Sequence, residues 1–213
     1  MKSVLISIKP QWCEKIASGK KTIEVRKSAP KEVPFKAYIY CTKSDKYLLD
    51  IDSDGSMFYW DKKEHHYPFK YEKDHEEIFN GKVIGEFICN EVEEFHEWEL
   101  SSQGKFAEFE EERLKQFLTA ACLSRGEVFR YRENLPYHKP LYGWHISDLK
   151  TYDKPKELSE FKTPPCEKSE KACENCKYRV VINTPDMYEV DCFVENGREI
   201  TRPPQSYMFV EEI

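Results

Sequence analysis

The sequence predicts an α+β fold in which short strands dominate and two or three short helices lie between them. Several short segments alternate between apolar and polar side chains, as half-buried strands do. Apolar residues recur with helical spacing in only a few places. Aromatic residues make up 14% of the chain, so large rings can build a core although only 39% of residues are hydrophobic. Short strands with a helix inserted after the first favour a small, partly closed barrel.

The N-terminal region predicts a strand followed by a helix. Residues 4–8 are apolar enough for a first strand. Pro10 is suited to the first turn of a helix, because a proline there loses no intrahelical hydrogen bond. Gly19 is a natural end for that helix.

The segment after Gly19 alternates strictly, which predicts a half-buried strand over residues 22–26. Its apolar residues are expected to face the core and its polar residues a cleft or solvent. The apolar residues are Ile23 and Val25, and the polar row is Thr22, Glu24 and Arg26.

The remaining pattern supplies more strands and two helices. We predict strands at 36–42, 82–92, 141–149 and 206–213, and a hairpin over 47–60. Apolar spacing predicts a helix over 106–121, and Ser124 with Glu127 forms a capping box at the start of another. Residues 43–80 are expected to be an exposed insertion, 91–112 an acidic face or loop, and 152–165 a linker.

Four cysteines have the spacing C-x6-C-x2-C-x15-C, which predicts a structural zinc site. A C-x2-C pair presents two thiolates from one turn, and four thiolates leave no open position for catalysis. Free thiols, or a redox pair at Cys173 and Cys176, are the alternatives. The predicted ligands are Cys166, Cys173, Cys176 and Cys192. Residues 1–150 would then form the barrel with 205–213 as its closing strand, and 151–204 a linker and zinc-binding knob.

The other cysteines and a row of aspartates have simpler interpretations. Isolated cysteines in predicted strands and helices are expected to be small buried apolar residues. They are Cys13, Cys41, Cys89 and Cys122. Asp50, Asp52, Asp54, Gly55 and Asp61 match part of a calcium-loop pattern. No helices are predicted beside them, so we favour a hairpin with an Asp-Gly turn.

Charge and hydropathy point to a cytoplasmic protein with a local anion site and no membrane contact. No apolar run approaches the roughly 20 residues that cross a bilayer, and the first residues do not form a signal peptide. The net charge of −6 argues against tight non-specific binding to nucleic acid. Residues 1–36 nevertheless contain nine basic residues against three acidic ones. Ordinary surface lysines are the alternative interpretation.

Residues 9–10 and 16–26 together resemble the signature of the ASCH domain, a member of the PUA-like superfamily. Residues 38–41, 81–87 and 142–149 agree with the same family, and residues 202–206 look like the end of its phage and prophage members. The resemblance implies a small β-barrel with a cleft beside residues 19–26, and a partner that is RNA or a modified nucleoside or nucleotide.

Some short bacterial members of that family hydrolyse N4-acetylcytidine with a Lys, a Thr and a Glu. The resemblance places the Lys at Lys21, but the Thr would fall where this sequence has Glu24. Glu127 is a candidate for the acidic partner, although its capping-box position explains it without chemistry.

The residues themselves favour binding over catalysis. Phosphate would be held by Lys9, Lys21 and Arg26, a base edge by Glu24, and a base face by Trp12, Tyr142 or Trp144. The catalytic alternative uses Lys21 as general base, with Thr22 as nucleophile or Glu24 activating water. A ribonuclease and a protein-interaction adaptor are further alternatives. A purely structural interpretation is that Glu24 and Arg26 pair across the sheet.

Overall fold

A computed structural model of the protein describes residues 1–51, 57–61, 79–96, 107–165, 179–184, 187–192 and 197–213. The described strands are β1 (Lys2–Ile8), β2 (Ile23–Arg26), β3 (Phe35–Cys41), β4 (Tyr47–Ile51), β5 (Met57–Asp61), β6 (Val83–Cys89), β7 (Val92–Phe95), β8 (Leu141–His145), β9 (Ser147–Lys156), β10 (Arg179–Thr184), β11 (Met187–Cys192) and β12 (Tyr207–Val210). The helices are α1 (Pro10–Ala17), α2 (Ala107–Ala120) and α3 (Arg125–Arg132), with a 3-10 turn at Leu158–Glu160.

The largest sheet has five strands in the order β12-β1-β3-β6-β9. β1 runs parallel to β3 and antiparallel to β12, so the predicted last strand is an edge strand of this sheet. Alternate residues of β1 enter two different apolar clusters, because successive side chains of a strand point to opposite faces. Val4 and Ile6 pack in the larger cluster with Trp144, whereas Leu5 packs with Tyr38 and Phe161.

A second sheet has the order β2-β8-β7 and packs against α2. Ile23 and Val25 of β2 are buried with Leu114 and Phe117 of α2. Their inward orientation follows the apolar half of the predicted alternation. This sheet and α2 position the charged side chains of β2, since Glu24 and Arg26 lie on the same strand.

Two further sheets are hairpins, β4–β5 and β10–β11. The pairing of Ile51 with Met57 confirms the hairpin predicted over residues 47–60. Its turn, which includes Asp52, Asp54 and Gly55, lies outside the described residues, as does most of the predicted insertion.

The predicted barrel closure is wrong for the part of the chain that the structure describes, because its strands form four separate sheets. The sequence patterns at 82–92 and 141–149 were each expected to be one strand. Each is two strands, and the chain changes sheet at Asn90 and Glu91 and again at Ile146. At Ile146 the alternation of apolar and polar residues continues from Trp144 to Ser147, so the pattern there does not reveal where the chain leaves one sheet for the other.

Two segments expected to be irregular contain regular structure. Residues 92–95 of the predicted acidic loop form β7, with Phe95 buried beneath α2. The predicted linker begins with the end of β9, and Phe161 within it is fully buried against Tyr38. The proline- and lysine-rich composition of this segment does not predict these contacts, because a single buried aromatic ring is enough to pack a mostly polar segment against the core. Among the helices that the structure describes, none is long and apolar enough to cross a membrane.

Candidate functional site

The turn between α1 and β2 brings Lys21 into the interior of the protein. α1 begins at Pro10, as predicted, and Gly19 has a φ of 72°, the left-handed conformation that ends many helices. The Lys21 backbone N–H then donates to the Lys15 carbonyl at 2.8 Å. The side chain of Lys21 therefore points inward and is only 2% exposed.

The Lys21 ammonium is held from two sides. It donates to the Ala121 carbonyl just beyond the end of α2 at 2.8 Å, and it lies 3.4 Å from a carboxylate oxygen of Glu24. Burial lowers the pKa of Lys21 because the charged form loses its hydration, while the nearby Glu24 carboxylate opposes that shift.

Glu24 also pairs with Arg26, whose Nε lies 3.0 Å from the other carboxylate oxygen. The two groups are close but are not aligned as a hydrogen bond. The structural ion pair expected for these residues is thus present, although it runs along β2 rather than across the sheet. The term buried charged row denotes the side chains of Lys21, Glu24 and Arg26 together.

Arg26 connects three parts of the chain. One terminal nitrogen donates to the Ser7 carbonyl at 2.7 Å, and the other donates to the Ser206 carbonyl at 3.2 Å. The Ser7 hydroxyl donates in turn to the Pro204 carbonyl at 2.7 Å. These bonds hold residues 203–206 against the ends of β1 and β2.

A cavity of about 790 Å³ lies above the buried charged row. One wall comes from the start of α1, with Lys9, Gln11 and Trp12. Other lining residues come from α3 and the segment 203–205. The volume is within the range of about 300–1,000 Å³ typical of small-molecule sites.

The structure places five of the predicted site residues at this cavity, namely Lys9, Trp12, Lys21, Glu24 and Arg26. Thr22 is exposed and does not line the cavity. Its backbone bonds to Ala120 and Ile146, which leaves its side chain facing outward. Trp144 does not line the cavity either, because it packs edge-on against Phe35 and Tyr207 in the core.

The sequence singled out only Glu127 of α3, as a candidate acidic partner, and did not predict the contribution of Arg130 and Tyr131. Glu127, Arg130 and Tyr131 line the cavity from positions three and four residues apart, which is one face of a helix. The capping box is confirmed: Ser124 accepts from the Glu127 backbone, and the Glu127 carboxylate accepts from the Ser124 backbone at 2.8 Å. The capping box indicated this helix, and the family resemblance offered Glu127 as an acidic partner for Lys21, but neither pointed to Arg130 or Tyr131.

Most of the isolated cysteines are buried in the core. Cys13, Cys41 and Cys89 are buried, as expected, and Cys122 is partly exposed. Burial raises the pKa of Cys89 to about 12, so its thiol stays protonated at neutral pH.

The predicted zinc site lies mostly outside the described residues, with only the end of β11 at Cys192 inside them. Elsewhere in the described part of the chain, no group of three or more His, Cys, Asp or Glu residues is placed to hold a metal.

Comparison with solved structures finds ASCH proteins among the structural neighbours of this chain. No family model and no curated protein matches this sequence. The crystal structure of ASCH from Zymomonas mobilis is 16% identical, with a TM-score of 0.49 over 99% of this chain and 89% of that one. One point mutant of that protein is 15% identical with a TM-score of 0.49, and another is 17% identical with a TM-score of 0.44 over 74% of this chain and 77% of that one.

Proposed function

We propose that the protein binds RNA or a modified nucleoside or nucleotide in the cavity above the buried charged row. The observation that carries this proposal is that Lys21, Glu24 and Arg26 converge at one cavity beside an aromatic ring. Nucleobases carry both hydrogen-bond donors and acceptors on their edges and a flat face for stacking. The cavity offers charged donors and acceptors together with the indole of Trp12.

The buried charged row suits a neutral polar ligand group at the bottom of the cavity. Within the described residues, each carboxylate oxygen of Glu24 lies near one cation, so it retains capacity to accept a donor from a base edge. Lys21 uses its ammonium on Ala121 and Glu24, which leaves one donor for a ligand carbonyl.

The test is a calorimetric titration with ribonucleosides, N4-acetylcytidine, ribonucleotides and short single-stranded RNAs. The ligand that binds best is then titrated into Lys21→Ala and into Lys20→Ala. Lys20 is the matched control, since it is exposed, pairs with Glu14 and does not line the cavity. We expect Lys21→Ala to weaken binding about tenfold or more, equivalent to about 1.4 kcal/mol, and Lys20→Ala to leave it unchanged. Absence of binding by every probe, or equal effects of the two variants, would refute the proposal.

A second candidate is hydrolysis of an acylated nucleoside such as N4-acetylcytidine. The observation that favours it is the lowered pKa of Lys21, because a lysine that loses its proton more readily is a better general base. Glu24 lies within 3.4 Å of that lysine and could orient a water molecule, whereas Thr22 faces away from the cavity.

Chromatographic analysis of N4-acetylcytidine after incubation with the protein tests this candidate. Cytidine should form, and its rate of formation should rise with pH as Lys21 loses its proton. Deacetylation that persists in Lys21→Ala, or no deacetylation at all, would exclude it.

A further inference from the structure

We infer that the ligand is a phosphorylated nucleotide whose base enters the cavity and whose phosphate stays at the rim, between Lys9 and Arg130. This inference rests on the proposed function and specifies the ligand and its orientation. It also reassigns the phosphate, which the sequence alone would give partly to Lys21 and Arg26.

The bottom of the cavity is a poor place for a phosphate. The side chains of Lys21 and Arg26 are almost fully buried, and Glu24 lies between them. A phosphate there would approach the Glu24 carboxylate in a site with little water to screen the repulsion. It would also have to draw Arg26 away from the Ser7 and Ser206 carbonyls, to which both terminal nitrogens already donate.

The rim of the cavity, unlike its bottom, offers exposed cations that can hold a phosphate. Lys9 and Arg130 are both exposed, and both line the cavity, one at the start of α1 and one on α3. An exposed guanidinium or ammonium binds phosphate without first losing a buried partner. The acidic residue at this wall is Glu127, and one of its carboxylate oxygens is already bonded to the Ser124 backbone and hydroxyl.

The aromatic residues that line the cavity agree with this orientation of the nucleotide. Trp12 lines the wall beside Lys21, while Tyr131 is 40% exposed next to Arg130. A base that contacts Trp12 and Glu24 would leave its sugar directed outward and its phosphate between the two exposed cations. Free nucleosides lack the group that those cations would hold.

The experiment compares each of the four ribonucleosides with its 5′-monophosphate by calorimetry. We expect the best monophosphate to bind about tenfold more tightly than its nucleoside, with a dependence on salt that the nucleoside lacks. Lys9→Ala and Arg130→Ala should each remove most of that difference, weakening monophosphate binding far more than nucleoside binding. Arg125→Ala is the matched control, because Arg125 lies on the same helix, pairs with Glu111 and does not line the cavity.

Equal affinity for nucleoside and monophosphate would overturn this inference and leave the proposed function standing. So would equal effects of Arg130→Ala and Arg125→Ala on monophosphate binding. Absence of binding by every nucleoside, nucleotide and RNA would overturn both. A trinucleotide of the same base adds one distinction within the inference. Tighter binding than the monophosphate identifies a strand as the source of the phosphate, and equal binding identifies the free nucleotide.

Discussion

Glu24 is the residue on which the charged row depends, because it lies between two buried cations. Burying a charge removes its hydration, and the loss is tolerated when an opposite charge and hydrogen bonds replace the water. Lys21 and Arg26 both have carbonyl partners, but Glu24 is the anion that both of them contact. The row should therefore be sensitive to removal of that one carboxylate.

We expect Glu24→Gln to lower the free energy of unfolding by about 3 kcal/mol or more, because two cations would stay buried without an anion. Urea denaturation at neutral pH measures this loss. Glu32→Gln is the control, since Glu32 pairs with Lys2 at 2.8 Å and both side chains are exposed. That substitution should have little effect on the free energy of unfolding, because water screens an exposed pair. Equal losses would show that the row contributes no more than a surface pair.

Lys21 should titrate below the exposed lysines, because burial lowers its pKa from 10.5. Between the lowered pKa and 10.5, the unfolded chain binds more protons than the folded one, so the cost of burying Lys21 declines as pH rises. Carbon-13 NMR of the lysine side chains follows this titration directly, with Lys20→Ala and Lys21→Ala assigning the signals. Glu24→Gln should lower the pKa of Lys21 further, since the carboxylate raises it; a rise would contradict the contact.

The packing of α2 on the three-stranded sheet depends on the absence of a side chain at Gly143. A Cβ atom there would lie 2.7 Å from a ring carbon of Phe117 and 3.0 Å from a methyl group of Ile23. Both neighbours are buried in one cluster, so neither has open space to move into. The close approach matters to the site, because this sheet carries Glu24 and α2 leads into the Ala121 carbonyl.

We expect Gly143→Ala to destabilise the protein by about 1–3 kcal/mol through overpacking, measured by thermal or urea denaturation. Gly126→Ala is a matched control, since Gly126 lies in α3 and a Cβ atom there meets nothing within 4 Å. Alanine in a helix is favoured over glycine by about 0.5–1 kcal/mol, so this substitution should stabilise. If Gly143→Ala left the free energy of unfolding unchanged, α2 would have to shift without loss of stability, and the prediction would be wrong.

At the scale of the whole molecule, local signals predicted the elements better than their assembly. Pro10, Gly19 and the Ser124 capping box act within a few residues, and each marks its helix correctly. Junctions such as Ile146 depend on which distant strand is available for pairing, and no local pattern records that choice. The same reason explains why the sequence predicts only part of the candidate site. The row at 21–26 is visible in the sequence, whereas Arg130 and the segment 203–205 reach it only through the fold.

The zinc knob is a prediction at the same scale, and metal analysis of the purified chain tests it. We expect about one zinc ion per chain, because four thiolates complete a tetrahedral site. Cys176→Ser should abolish zinc binding, whereas Cys122→Ser, at a cysteine outside the predicted site, should leave the metal content unchanged. A metal-free chain would favour the alternative of free thiols or a redox pair.

The hydrogen bonds that join residues 204–206 to β1 and β2 have a consequence for folding kinetics. The Ser7–Pro204 bond spans 197 residues, and the Arg26–Ser206 bond spans 180. Contacts over such separations form late, since much of the chain must first be ordered to bring their ends together. During synthesis from the N-terminus, Lys21, Glu24 and Arg26 emerge long before the wall at 203–205. Ligand binding is therefore expected to appear only at the end of folding, so it can serve as a readout of the completed fold.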